Sequence, residues 1–128
     1  MNYSLLGCIA ALTLVVQFAS AREFVVPANT PRNIFHRYAV NENCSSVGEV
    51  VIRITTQPVH GAVTIRRGRD YPRFKAPNAR VVCNSRSVQS TQVWYTPERG
   101  YVGPDSVTVD VIWPWGSEEQ DTITILVR

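Results

Sequence analysis

The residues with chemistry to offer lie close together. Within fifteen positions Arg66, Arg67, Arg69, Arg73, Lys75 and Arg80 stand against one acid, Asp70, with Tyr71 and Phe74 between them. Guanidinium forks hold phosphate, sulfate or carboxylate oxygens in pairs, and neighbouring rings stack on flat groups or on cations. Such a run suits an anionic polymer. It equally suits a solvated hairpin whose charges keep a strand edge from aggregating. A second group, Trp113-Pro114-Trp115-Gly116, sets two indoles around a proline. Trp115 falls on the turn there, either as a contact for a partner or sugar or as a cap over the end of the fold.

Catalytic arrangements are missing from the sequence. There is no nucleophile elbow, no His-Glu-x-x-His helix, no phosphate-cradling glycine loop and no paired acids at a readable pocket. His36 and His60 stand 24 positions apart and no Cys or His spacing fits a metal. The reading is therefore non-enzymatic, with no cofactor and no metal. Thirteen basic and ten acidic residues leave a formal charge of +3, and twelve of the basic residues are Arg. That balance draws the chain weakly toward anionic surfaces without naming one.

The compartment is legible at the start of the chain. Residues 1–21 carry no Lys, Arg, Asp or Glu, run apolar from Leu5 to Phe18 and end on Ala19-Ser20-Ala21. This is the pattern of a secretory signal with a small-residue cleavage site, though it lacks a basic start, and an uncleaved anchor is the alternative. Thr13 and Gln17 interrupt the run, which is short for a membrane span. Cleavage leaves residues 22–128 as a secreted or periplasmic domain with no stable membrane insertion. It removes Cys8 and keeps Cys44 and Cys83, the number for one disulfide in an oxidising compartment, or otherwise two buried thiols. Nucleic acid is excluded as a partner, since the chain leaves the cytoplasm and carries no recognised binding motif.

Strands must position all of this. Val50, Ile52 and Ile54 alternate with polar residues, as do Val63 and Ile65, Val93 and Tyr95, Val107 to Trp113, and Ile123 to Val127. Period two with β-branched residues predicts half-buried antiparallel strands. With Phe24 to Val26 and Ile34 to Val40 there are about seven, parted by turns rich in Pro, Gly and Asn. The expected fold is all-β, a two-sheet antiparallel sandwich with one disulfide.

Two ordered motifs carry a resemblance. Gln57-Pro58-Val59-His60-Gly61-Ala62-Val63, followed by Tyr95-Thr96-Pro97-Glu98-Arg99-Gly100-Tyr101-Val102-Gly103-Pro104-Asp105-Ser106, resembles the cadherin-like, immunoglobulin-like repeats of bacterial surface proteins over about residues 49–127. The resemblance implies an immunoglobulin-like sandwich and a bacterial adhesin setting. His60 then reads as a turn residue, and Asp105 as a carboxylate bonding backbone amides where a strand begins.

Three departures from the family pattern stand out. The acidic calcium-associated run before the strand at 49 is replaced by Asn41 to Glu49, which has too few carboxylates for a cage of six to eight oxygens. Residues 66–90 form a basic insertion between two strands. The last hairpin holds Trp-Pro-Trp in place of a small polar turn. Counting strand directions puts the Cys44 segment, the insertion and the Trp turn at one end of the sandwich. The expected contact surface is therefore Arg66, Arg67, Arg69, Tyr71, Arg73, Phe74, Lys75, Trp113 and Trp115. The expected function is a non-catalytic binding or adhesion module for an anionic polysaccharide, an envelope component or a protein. The alternative is a small structural or inhibitory subunit of a periplasmic or extracellular complex.

Overall fold

The computed structural model describes residues 23–128; the leader expected at 1–21 lies outside the described residues. Seven strands follow one another: β1 (Glu23–Val26), β2 (Arg32–Arg37), β3 (Val51–Thr56), β4 (Gly61–Asp70), β5 (Val88–Pro97), β6 (Gly103–Ile112) and β7 (Glu118–Val127). They form two sheets, one in the order β1-β7-β6-β3 and one in the order β2-β5-β4. No described helix is long and apolar enough to cross a membrane.

The alternation decides which residues meet between the sheets. Val107, Val109 and Val111 of β6 and Ile123, Ile125 and Val127 of β7 face Val93 and Tyr95 of β5, and all are buried. Ile34, Phe35, Ala39, Val26, Val50 and Ile52 complete this core. Each such Val or Ile, fully buried, contributes about 1.5–3 kcal/mol of transfer free energy. Trp113 continues the β6 phase and packs half-buried against the core, whereas Ile65, in phase with Val63, lies beyond its rim and is 40% exposed.

The strands depart from a uniform antiparallel pattern at β1, which runs parallel to β7 from Glu23↔Thr124 to Val26↔Val127. β1 and β2 belong to different sheets, so the Pro27–Thr30 turn crosses between layers and no hairpin dictates antiparallel pairing. The Ala28 N–H donates to Arg128 O and the Arg128 N–H to Val26 O, which extends the parallel pairing to the chain end. β2 carries a register shift between Asn33 and Phe35, and this lets both Ile34 and Phe35 turn inward.

At one end the two sheets are clamped by a single carboxylate. Asp105 of β6 accepts from the Tyr95 hydroxyl (2.8 Å) in the opposite sheet, from the backbone N–H of Val59 (3.0 Å) and His60 (2.9 Å), and from Ser106 N–H (2.8 Å). The Val59–His60 turn is the crossing from β3 to β4, so four separate tethers converge on one side chain. Gly61 follows directly, and a Cβ there would collide with the Tyr95 ring. His60 stacks on Tyr101 with centroids 4.0 Å apart, and its Nδ1 lies 3.7 Å from Glu98. The expectation that His60 is a turn residue and Asp105 a backbone acceptor matches this geometry.

Burial is the largest single influence on the Asp105 carboxyl and works against its charge. The hydrogen bonds from Tyr95, Val59, Ser106 and His60 together outweigh it and hold the group below the ordinary carboxylate value. Tyr95 is pushed the other way, far above the ordinary phenol value, by burial first and by Asp105 second. A depressed folded pKa means that the stabilisation is complete above the ordinary value of 3.8 and is lost as pH falls through the lowered one. Asp105→Ala should cost about 2–3 kcal/mol in urea denaturation at neutral pH, since it removes the charged acceptor of three amides and leaves the Tyr95 hydroxyl only the longer bond to His60 O (3.2 Å). The wild-type advantage over that variant should shrink below pH 4; an advantage independent of pH would remove the carboxylate's role.

Candidate functional site

The opposite end gathers the features that the strand count places together. β3 begins where β6 ends (Val51↔Ile112), β7 begins there too (Ile112↔Glu118), and β4 ends where β5 begins (Asp70↔Val88). Four contacts among the described residues join the layers at this end: Arg37 to Asp121 (3.1 Å) and to Glu119 (3.4 Å), Arg67 to Glu49 (2.7 Å), and the Thr91 hydroxyl donating to Val50 O. Gly48 lies against the ring of Pro114, which brings the Cys44 segment to the Trp turn.

The disulfide Cys44–Cys83 is formed, with Cα atoms 5.5 Å apart. It fits an oxidising compartment outside the cytoplasm. Cys83 sits in a short 3-10 helical segment, Ala79–Ser85, that interrupts the connection from β4 to β5. Cys44 is held at φ 69, in the left-handed region, by a turn in which its N–H donates to Asn41 O (2.9 Å). Around the bond a second, smaller core has formed from Val40, Cys83 and Val88, flanked by Tyr38, Cys44 and Phe74. Val88 has the outward phase of β5, opposite to Val93, so this cluster covers the outer face of the three-stranded sheet.

Polar bonds stitch the connection down as well. The Asn84 side chain bonds both backbone groups of Phe74 at 2.9 Å, Arg80 Nε donates to Val40 O (2.8 Å), and the Arg73 N–H donates to the Tyr38 hydroxyl (2.9 Å). The segment is ordered by packing, hydrogen bonding and a covalent bond, and its basic residues hang from a fixed frame.

The insertion differs from expectation in one respect. The residues 66–90 are expected to form a loop, yet β4 runs on to Asp70 and β5 starts at Val88, so only 71–87 connects them. Arg66, Arg67 and Arg69 are strand residues and alternate between faces. The register continues through Arg66↔Gln92, Gly68↔Ser90 and Asp70↔Val88, and on the outer face the Asp70 carboxylate is bonded by Ser90 and Gln92 across the ladder.

That outer face holds residues the sequence reading passes over. Trp94 Nε1 donates to Gln92 Oε1 (2.8 Å), Gln92 Nε2 donates to Asp70 Oδ2 (2.8 Å), and the Ser90 hydroxyl donates to the same oxygen. The Arg66 guanidinium lies 4.8 Å over the Trp94 ring. Gly68 makes the chain of bonds possible, since a Cβ there would come within 2.6 Å of the Gln92 amide nitrogen. His36 pairs with Gln92 from β2 and stacks on Tyr38 at 6.0 Å, and Tyr38 meets Phe74 edge-on at 5.7 Å. Burial lowers the His36 pKa, with Arg37 and Arg73 acting in the same direction and Asp70 opposing, so the ring stays neutral near pH 7. The outward phase of Trp94 against Val93 and Tyr95 is the signal that marks this face in the sequence.

The expected surface therefore divides. Arg66, Arg73 and Phe74 belong with Trp94, His36 and Tyr38 on the outer face. Arg67 reaches toward β3 and pairs with Glu49, while Arg69 is tied to Ser87 through its side chain and carbonyl (3.1 and 2.6 Å). Tyr71 is 62% exposed, and Lys75 is exposed. Trp115 is 61% exposed and stacks on Trp113, rings 5.1 Å apart and 8° from parallel, with its Nε1 donating to the Ser117 hydroxyl (2.6 Å). Trp113 thus supports Trp115 from the core side, and Trp115 covers the turn without losing its exposure.

Set beside known proteins, the chain matches no protein-family profile and no curated protein. The solution structure of amebosin aligns over 83% of this chain and 88% of that one, with a TM-score of 0.44 and 9% identity, a likeness too remote to carry any inference.

Removal of the disulfide should loosen this end first. On the chain-entropy account a loop of 39 residues contributes about 3–4 kcal/mol. The double variant Cys44→Ser, Cys83→Ser should melt correspondingly lower and be cut by protease within 71–87 before it is cut elsewhere. First cleavage at the 57–61 turn would show that the small outer core holds without the bond.

Proposed function

We propose that the chain is an exported, non-catalytic binding module that holds an anionic partner through the disulfide end of the sandwich. The observation that carries this reading is the set of cations left without acids. Arg66, Arg69, Arg73 and Lys75 have no carboxylate within ion-pair distance among the described residues, although each is held on or beside an ordered strand. Exposed guanidinium groups on a fixed frame lose little freedom on meeting sulfate, phosphate or carboxylate oxygens. Arg66 over Trp94 and Trp115 on Trp113 add flat apolar surface beside that charge.

In the same reading the chain is a single repeat of the cadherin-like, immunoglobulin-like kind, exported by its first 21 residues, in which a disulfide tethers what an acidic run would hold elsewhere. Partners are an anionic polysaccharide, an envelope component or a protein. The subunit reading, structural or inhibitory, has its own support in the apolar residues around the pinned connection. Val47 is 42% exposed, Val81 39% and Val82 62%, more apolar surface than a polysaccharide contact needs.

Retention of the exported domain on a sulfated polysaccharide and on envelope fractions, at low and moderate salt, tests the module. Arg66→Ala, Arg69→Ala and Trp115→Ala should each elute at lower salt than the parent, while Arg67→Ala, already neutralised by Glu49, should move least. Equal retention of all four variants would dismiss this surface. Co-purification of a protein that survives high salt and is lost on changing Val82 would favour the subunit instead.

A further inference from the structure

Four strands terminate the two sheets, β1 and β3 in one and β2 and β4 in the other. A free strand edge presents a row of N–H and C=O groups to any extended chain, and proteins blunt it with short strands, bulges, proline or charge. β1 has four residues. β2 and β3 have six each, and register shifts interrupt both, at Asn33/Phe35 and at Ile54/Thr56. β4 differs from all three. It has ten residues, contains no proline, and pairs with β5 in unbroken register from Gly61↔Pro97 to Asp70↔Val88. Among the described residues no hydrogen bond from any segment but β5 reaches its backbone. The free edge is about 33 Å long at the usual rise per residue.

Charge is the one device that guards this edge, and charge is selective. Arg66, Arg67 and Arg69 occupy both faces of the pleat along the half of β4 nearest the disulfide end. A second copy adding antiparallel through the middle of β4 sets Arg66 and Arg67 near their own counterparts, which is destabilising. A strand of opposite sign meets no such penalty. Side chains directly across a new pair lie about 4.5–5.5 Å apart at Cβ, within reach of an Arg–carboxylate fork. Beyond the arginines the edge is neutral, with Val63 and the exposed Ile65 on one face and Ala62 and Thr64 on the other.

We propose that the free edge of β4 takes up an extended segment of a partner protein as an additional strand, with acidic side chains of that segment opposite Arg66 and Arg69, the two arginines of the strand that have no acid of their own among the described residues. This rests on the reading of the chain as a binding module and assigns it a protein strand as ligand. The segment it fits has an Asp or Glu on each face at one end, three positions apart to meet Arg66 and Arg69, and β-branched residues toward Gly61. Backbone pairing supplies the affinity in this mode, and the alternating side chains supply the choice of partner.

A displayed library of random peptides of about a dozen residues, roughly the span of a strand this long, tests it against the oxidised exported chain. Enriched peptides should be proline-free, carry clustered Asp or Glu beside a β-branched stretch, and slow amide exchange between Ala62 and Arg69 while leaving β1 unchanged. Arg66→Glu alone and Arg66→Glu with Arg69→Glu should each weaken the best peptide by about tenfold or more, with near-UV circular dichroism confirming the fold. No enrichment, enrichment without acidic residues, or protection at another edge would overturn the proposal. The same chain applied to the sulfated polysaccharide separates the two readings. Polysaccharide binding without strand-forming peptides keeps the module and discards the strand; failure of both discards both.

Discussion

Much of this molecule hangs on one carboxylate. Asp105 stands near the start of β6, yet its partners come from the opposite sheet, from the β3–β4 crossing and from its own strand. A two-sheet sandwich held by apolar packing alone is free to slide, because dispersion and burial have little directional preference. Hydrogen bonds to a charged acceptor are directional and roughly twice as strong as neutral ones. By drawing Tyr95 and the Val59–His60 backbone to one point, Asp105 sets the relative position of the layers. The alternating Val and Ile residues can then interdigitate in one arrangement.

With that end tied by hydrogen bonds, the other is tied by a covalent bond and a second small core. The disulfide joins the Asn41–Glu49 segment to the 3-10 segment, and Val88, Val40 and Phe74 close over it on the outside of the three-stranded sheet. This outer cluster explains why β4 and β5 extend so far. Val88, at the far end of the β4–β5 ladder, is buried on the outer face under the folded connection. Arg66, Arg67 and Arg69 thereby become parts of a rigid ladder, which makes their spacing a property a ligand can read.

Much of the fold was legible in the residues. Five of the seven strands follow from period-two alternation, and of the inward residues named from it Val50, Ile52, Val93, Tyr95, Val107, Val109, Val111, Ile123, Ile125 and Val127 are buried, whereas Ile54, Val63 and Trp113 are partly buried and Ile65 is exposed. The disulfide followed from Cys44 and Cys83, the two cysteines outside the expected leader, and the shared end from counting strand directions. What the alternation could not show was where β4 stops. Arg-Arg-Gly-Arg-Asp has neither apolar alternation nor β-branched residues, so it reads as loop. It is a strand because Gln92, Ser90 and Val88 wait across the ladder.

The sequence by itself determined the pattern of inside and outside, because side chains alternate along any strand whatever its neighbours are. It determined also the turns, since Pro and Gly restrict or free the backbone locally. Only the tertiary structure decided which sheet each strand joined, that β1 lies parallel to β7, and that Gly68 gives room to Gln92 so that Trp94, Gln92, Ser90 and Asp70 form one bonded chain under Arg66. These are relations between residues far apart in the chain. Their energies depend on distance and burial, and neither exists until the sheets have paired.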